Sequence, residues 1–230
     1  KYIILTLDNN NYCLIHLGMS GTLHLINYKK KEKITNLSFY HSKILPKKHN
    51  HIKIKFSNFM IIYNDPRRFG FFKILNNKKE LKKYFLRFGP EAISSKFNFK
   101  YIKYKFINKK KNIKNFLLDQ NFVSGIGNIY ANEILFYSKI NPFKIAKKLS
   151  SKEIKKLIKY SKLVLNLAIK FGGSSIRDFK NAKGISGSFQ NKFKVYDREN
   201  KYCLKKNCKG KIIKMFISNR SSFFCKSCQK

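Results

Sequence analysis

The chain has 230 residues, 43% of them hydrophobic, enough to bury a core in one large domain or two smaller ones. No apolar run approaches the roughly 18–20 residues of a membrane span, and the longest, Leu163 to Phe171, is interrupted by Asn166 and Lys170. Lys and Arg number 51 against 11 Asp and Glu, a formal net charge of +40 that suits a polyanionic partner, nucleic acid above all. Lys, Asn, Ile, Phe and Tyr dominate and Trp is absent, a profile that AT-rich codon usage also produces. The charge therefore permits nucleic-acid binding without proving it. Lys1 opens directly into a strand-like run with no signal peptide, and without a starting Met the sequence reads as a fragment or a processed product.

The first third reads as strands. Tyr2–Leu7 is a short apolar run, the Asn9-Asn10-Asn11 cluster supplies a turn, and Tyr12–Ile15 follows. His51 to Phe56 alternates strictly, predicting one wet and one buried face. Ser57-Asn58 turns the chain into Phe59–Tyr63, its hairpin partner, and Phe69–Leu75 is a further strand. Asn77 to Lys83 is a charged stretch, and Gly89-Pro90 punctuates the chain before helical periodicity begins. Ile113, Phe116 and Leu117 sit at helical spacing, as do Ala131, Ile134 and Leu135, with the turn Ser124-Gly125-Ile126-Gly127 between them. Ser150 with Glu153 is a capping box. It opens a long amphipathic helix whose face is Ile154, Leu157, Ile158, Ser161, Leu165 and Ala168, ended by Gly172-Gly173. Short β-like runs, Ile212-Ile213 and Phe223-Phe224, lie in the tail.

Four of the five cysteines fall in that tail. Cys203-x4-Cys208 and Cys225-x2-Cys228 offer four thiolates in two turns, which suits one structural, tetrahedral Zn2+. Such an ion holds folded a segment too small for its own core. Cys13, alone in an apolar run, reads as a core residue. Gly125-Ile126-Gly127-Asn128 at a helix start can bind phosphate through backbone amides, with Asn128 adding a side-chain hydrogen bond. A glycine turn between packed helices explains it about as well. His16-Leu17-Gly18-Met19-Ser20-Gly21 and Asp65-Pro66-Arg67-Arg68-Phe69-Gly70 are tight turns at strand ends. Such loops can push a Met, an Arg and a Phe into a DNA stack, although on physical grounds alone Met19 and Phe69 are expected in the core.

Taken together these residues resemble formamidopyrimidine-DNA glycosylase. The resemblance runs from Lys1 to the C-terminus through HLGMSG (16–21), DPRRFG (65–70), the Gly-Pro of Gly89-Pro90 with Glu91, and SGIGNIYANE (124–133). It continues through GGSSIRDF (172–179), Lys194–Tyr196 and the terminal Asn-Arg with C-x2-CQK. It implies an α+β chain with an N-terminal β-sandwich, incomplete here, over 1–76, and a linker over 77–92. A helix–two-turns–helix domain follows over 93–182, and a zinc-finger β-hairpin over 193–230. The implied activity is base-excision repair of double-stranded DNA containing oxidised purines, 8-oxoguanine and formamidopyrimidines, with nicking of the abasic site by β,δ-elimination. The implied protein is a monomer acting in the bacterial cytoplasm at the nucleoid, without a membrane.

The base must leave the stack to be reached. The resemblance assigns Met19 to fill the gap, Arg67 to pair with the orphaned base and Phe69 to wedge its strand. Lys1, His16, Asn128 and Arg220 would grip phosphates, with His49 and Lys109 as further DNA contacts. The Ser174 to Phe179 loop, Ser174 and Arg177 included, would close over the flipped base. Lys1 is matched to β-elimination and Arg220 to the δ step, although an arginine is very hard to deprotonate. The family's nucleophile is an N-terminal proline followed by a glutamate, both upstream of Lys1, so the chain by itself is expected not to form the covalent intermediate. Its first cysteine pair also has two more intervening residues than the family's usual spacing. The competing readings are an endonuclease VIII-like oxidised-pyrimidine glycosylase, a DNA-binding remnant without catalysis, and a ribosome-associated zinc protein, which fits charge and cysteines but not the ordered motifs.

Overall fold

Alternating apolar residues in the first 75 positions pair into two antiparallel sheets. Strands β1 (Ile3–Thr6), β2 (Tyr12–His16) and β7 (Phe71–Leu75) form one, in the order β1-β2-β7. Strands β3 (Thr22–Asn27), β4 (Lys33–Thr35), β5 (Asn50–Lys55) and β6 (Phe59–Asn64) form the other, in the order β4-β3-β6-β5. Leu14, Ile15, Ile62, Tyr63 and Leu75 are buried, and the Tyr63 and Phe72 rings, one from each sheet, lie 5.0 Å apart. The computed structural model describes residues 1–29, 33–35, 47–174 and 187–230. Residues Lys1–Phe85 with Phe171–Gln190 form one unit, and Leu86–Lys170 with Asn191–Lys230 form a second.

The predicted hairpin of Phe59–Tyr63 with the preceding strand is present as the β5–β6 pair. Cys13 is buried at 6% exposure, as a core residue should be. The Phe69–Leu75 strand starts two residues later, at Phe71. Asn77 to Lys83, read as a charged stretch, lies largely within helix α1 (Lys78–Phe85). The Asn77 side chain accepts from Glu80 N–H at 2.9 Å while Glu80 accepts from Asn76 N–H at 3.0 Å. This is a reciprocal cap that the lysine-rich composition obscured. Strands β3 and β4, and helix α2 (Phe99–Phe106), were not anticipated.

In the second unit, α2 is capped by Asn98 and buries Ile102 and Phe106. Helix α3 (Ile113–Leu118) leads through the glycine turn to α4 (Asn128–Ser138). Helix α5 (Ser151–Lys170) opens on the expected box: Glu153 N–H donates to Ser150 Oγ at 3.2 Å, and Ser150 N–H to Glu153 Oε2 at 2.8 Å. Its buried face includes Ile154, Leu157, Ser161, Leu165 and Ala168 as predicted, with Val164 added and Ile158 only half-buried. Strands β8 (Ile212–Ile217) and β9 (Arg220–Cys225) form the terminal hairpin. Ser218 and Asn219 turn it at positive φ (48° and 59°), matching the twist of the strands.

Helix α4 is the hub of this unit. The buried Glu133 carboxylate accepts the N–H groups of Lys194, Val195 and Tyr196 at 2.9–3.0 Å. Asn132 Oδ1 accepts from Phe223 N–H at 2.8 Å, and Gln229 donates to the Ile140 carbonyl at 2.9 Å. The polar residues of NIYANE and the terminal CQK thus fasten the tail to the helices. Among the described residues, no helix is long and apolar enough to cross a membrane.

Candidate nucleic-acid interface and metal centre

In the first unit, several predicted residues gather at one end of the sheets. The register Ile3↔Ile15 carries Lys1 and Tyr2 to the His16 end of β2, where the Tyr2 ring lies 5.1 Å from His16. His16 stacks on Phe71 at 5.6 Å. Gly18 N–H donates to His16 Nδ1 at 3.1 Å, which leaves the ring proton on Nε2. Burial lowers the imidazole pKa, so His16 is poised as a neutral donor. His49 immediately precedes β5, and its carbonyl accepts from Asp65 N–H at 3.0 Å.

The two tight turns expose their apolar tips. Met19 and Phe69 are each 62% exposed, which corrects the expectation of core packing drawn from hydrophobicity alone. The reason is that both loops fold around a buried carboxylate. Asp65, at 0% exposure, accepts from Ser20 Oγ at 2.5 Å, Tyr63 OH at 2.8 Å, Gly70 N–H at 2.9 Å and Arg67 N–H at 3.2 Å. Those bonds consume the loop interior and leave the side chains outside. Burial alone would raise the Asp65 pKa, but these donors outweigh it and hold the carboxyl below its ordinary value. Arg67 is exposed, with Nη1 3.9 Å from Met19 Sδ. Ser174 bridges Ser188, whereas Arg177 and the rest of its loop lie outside the described residues.

The second unit brings together Lys109, Asn128 and Arg220. Asn128 opens α4 behind Gly127, a cap with no side chain. A Cβ at Gly125 or Gly127 would meet nothing within 4 Å, and Gly127 has an ordinary φ of −106°. Neither packing nor backbone geometry demands glycine at 127. At Gly125, by contrast, φ +92° requires glycine for the turn itself, so the turn accounts for one glycine while the other leaves an open approach to the first-turn amides. Asn128 Nδ2 donates to the Ser221 carbonyl at 3.1 Å, beside Arg220. Arg220 and Lys109 line one 790 Å³ cleft with Lys110, Lys111, Asn115 and Phe116.

Lys114 was not singled out from sequence, being one of many lysines. Its side chain is fully buried and donates to the Ser221 carbonyl and to Ser222 Oγ, both at 2.7 Å. Burial, then the nearby Arg220, pushes its pKa down to about 7. Its only sequence signal is a lysine beside Ile113 on the buried side of α3.

Cys203, Cys208, Cys225 and Cys228 converge, with all four sulfurs within 4.8 Å of one another. Sulfur separations of 3.8 Å (Cys203–Cys228), 3.7 Å (Cys208–Cys225) and 3.3 Å (Cys208–Cys228) are far beyond a disulfide bond. They approach the edge of about 3.8 Å expected of a thiolate tetrahedron with bonds of about 2.3 Å. The lengthened first knuckle closes because Asn207 adopts φ 62° and Cys208 N–H returns to the Lys205 carbonyl at 3.1 Å. A backbone N–H from Gly210 leads the groups that lower the Cys208 thiol pKa to about 7. The donor set fits a metal ion.

Comparison with known proteins agrees with this arrangement. The Formamidopyrimidine-DNA glycosylase N-terminal domain matches residues 1–72 and the Formamidopyrimidine-DNA glycosylase H2TH domain residues 88–180. A formamidopyrimidine-DNA glycosylase of Rickettsia bellii is 41% identical over 100% of this chain and 79% of its own length. One from Roseobacter denitrificans is 39% identical over 100% and 80%. Among solved structures, a Lactococcus lactis Fpg variant bound to Fapy-dG-containing DNA gives a TM-score of 0.85 at 32% identity, covering 100% of this chain and 79% of that one. MutM with carbocyclic 8-oxo-G-containing DNA gives 0.83 at 32% identity, covering 100% and 78%. The chain belongs to the formamidopyrimidine-DNA glycosylase family, the DNA glycosylases of base-excision repair.

Proposed function

We propose that this glycosylase binds double-stranded DNA, everts an oxidised purine such as 8-oxoguanine or a formamidopyrimidine, excises it, and nicks the abasic site by β,δ-elimination. The observation that carries this reading is the joint exposure of Met19, Arg67 and Phe69 on two interlocked loops. Exposed apolar tips cost free energy in water and gain it when inserted into a base stack. Met19 fills the gap, Arg67 offers its planar donors to the unpaired base, and Phe69 wedges the opposite strand.

Phosphates are held by Lys1, His16, Asn128 and Arg220, with His49 and Lys109 adding contacts, and Ser174 and Arg177 belong to the loop over the everted base. Lys1 assists β-elimination. Arg220 acts at the δ step chiefly by clamping phosphate, because its guanidinium keeps its proton. One Zn2+ on Cys203, Cys208, Cys225 and Cys228 shapes the hairpin that carries Arg220 and takes no part in the chemistry, since four protein ligands close the coordination sphere. Residues 1–76, 93–182 and 193–230 are its sheet, helix–two-turns–helix and zinc-finger domains, with 77–92 linking the first two. The protein acts as a monomer on the bacterial chromosome in the cytoplasm.

Lesion choice is tested with the protein as its own cell produces it, on duplexes carrying either 8-oxoguanine or thymine glycol. The expected result is release of 8-oxoguanine at least tenfold faster. Faster release of thymine glycol would assign the chain an endonuclease VIII-like preference instead.

A further inference from the structure

The exposed tips lie on two loops far apart in sequence, yet their geometry is shared. A Cβ at Gly18 would come within 2.8 Å of Gly70 N and the Phe69 carbonyl carbon, so the loops already touch backbone to backbone. Gly18 also sits at φ +64°, where other side chains are strained. The polar link across this contact is the Asp65 carboxylate. Oδ1 accepts from Ser20, next to Met19, and from Arg67 N–H. Oδ2 accepts from Gly70 N–H, next to Phe69, and from Tyr63 OH. Ser20 Oγ in turn accepts from Arg67 N–H at 3.2 Å.

The four donors to Asp65 are neutral, so among the described residues no ion pair explains burying this charge. A carboxylate is acceptor-only on both oxygens, with about four lone-pair sites. Four converging donors fill them and fix the backbone on either side of Arg67 and Phe69 while fastening the residue after Met19. An amide in its place turns one pair of acceptors into donors that face donors.

We propose that Asp65 is a positioning residue for base eversion: its carboxylate locks the Met19 loop and the Arg67–Phe69 loop into one rigid wedge. This rests on the reading that these three side chains enter the DNA stack. A wedge held in one geometry enters the duplex without first ordering its loops, and that ordering cost is otherwise taken from the binding energy.

The test uses the full chain and a duplex carrying a tetrahydrofuran abasic-site analogue with 2-aminopurine in the adjacent stack. It measures fluorescence at saturation, the affinity ratio against undamaged duplex, and Tm. Wild-type protein should brighten 2-aminopurine and prefer the abasic duplex. Asp65→Asn should lose at least half of that brightening per bound complex and about tenfold in the ratio, while binding undamaged duplex within twofold of wild type. Ser20→Ala, which removes one bond between the loops and is the milder variant if Asp65→Asn fails to fold, should lose about threefold in the ratio. Tyr63→Phe removes a bond to the same carboxylate from within strand β6; it should lower Tm yet keep the ratio. Retention of the wild-type ratio and brightening by folded Asp65→Asn and Ser20→Ala would overturn the proposal. Absence of brightening and preference in wild type would instead remove the eversion reading on which it rests.

Discussion

Lys114 and Asn128 donate to a single acceptor, the Ser221 carbonyl, at 2.7 and 3.1 Å. Helix α3 and the N-terminus of helix α4 thereby fix the first residues of β9, where Arg220 stands. Because burial holds the Lys114 pKa near 7, against about 10.4 when unfolded, the unfolded chain binds the extra proton throughout that window. Stability linked to this residue therefore rises with pH between about 7 and 10. Chemical denaturation from pH 8 to 10 should show a slope of about 1 kcal/mol per pH unit that Lys114→Met lacks. The same slope in both proteins would mean that the amine titrates normally.

Gly127 separates folding from binding. With open space around its Cβ position and an ordinary φ, Gly127→Ala should leave Tm nearly unchanged, since Ala caps less well but orders the unfolded chain. A methyl added to the open space that a phosphate would enter should lower duplex affinity about tenfold, or about 1.4 kcal/mol. A titration of labelled duplex checks this, and unchanged affinity would remove the phosphate from this helix start.

His24 gives the same pH sign in a more acidic window. It is 1% exposed, Nε2 lies 2.6 Å from Thr22 Oγ1 and Nδ1 has no hydrogen-bond partner among the described residues, and burial lowers its pKa to about 4. The unfolded imidazole protonates near pH 6.5 while the folded one stays neutral, so stability falls as pH drops from about 6.5 toward 4. The loss between pH 7 and pH 5 should be about 2 kcal/mol. Urea melts of the wild type and His24→Gln at both values would reveal it, with the variant showing the smaller loss.

Metal removal should act on the tail. The core beneath the hairpin consists of Val195, Cys203, Ile212, Phe223 and Cys225 with Phe136 of α4, too few groups to order it without the thiolates' ion. Atomic emission should find about one zinc per chain, and Cys208→Ser or strong chelation should cut duplex affinity at least tenfold. Full affinity in metal-free protein would contradict the structural role of the ion.

Much of this was legible in the residues. Cys203, Cys208, Cys225 and Cys228 announced themselves by spacing, and Ser150 with Glu153 by the cap they form, because each signal is local. The exposure of Met19 and Phe69 was not legible from hydrophobicity, which places such side chains inside. It follows from Asp65 drawing four donors into the loop interior, a contact between residues 45 positions apart in the case of Ser20. Lys114 was invisible for the same reason, since its partners lie 107 and 108 positions away. Helix α1 was hidden because lysines dominate its surface and only Asn77 with Glu80 mark its start.

The most direct test is the affinity of this 230-residue chain for a duplex containing a tetrahydrofuran abasic-site analogue, measured against the identical undamaged duplex at fixed salt. The account predicts binding to both through the basic surface, with at least a tenfold preference for the abasic duplex that Arg67→Ala and Phe69→Ala erase. Equal affinities in the wild-type protein would contradict a lesion-probing wedge and leave only a basic surface that holds DNA.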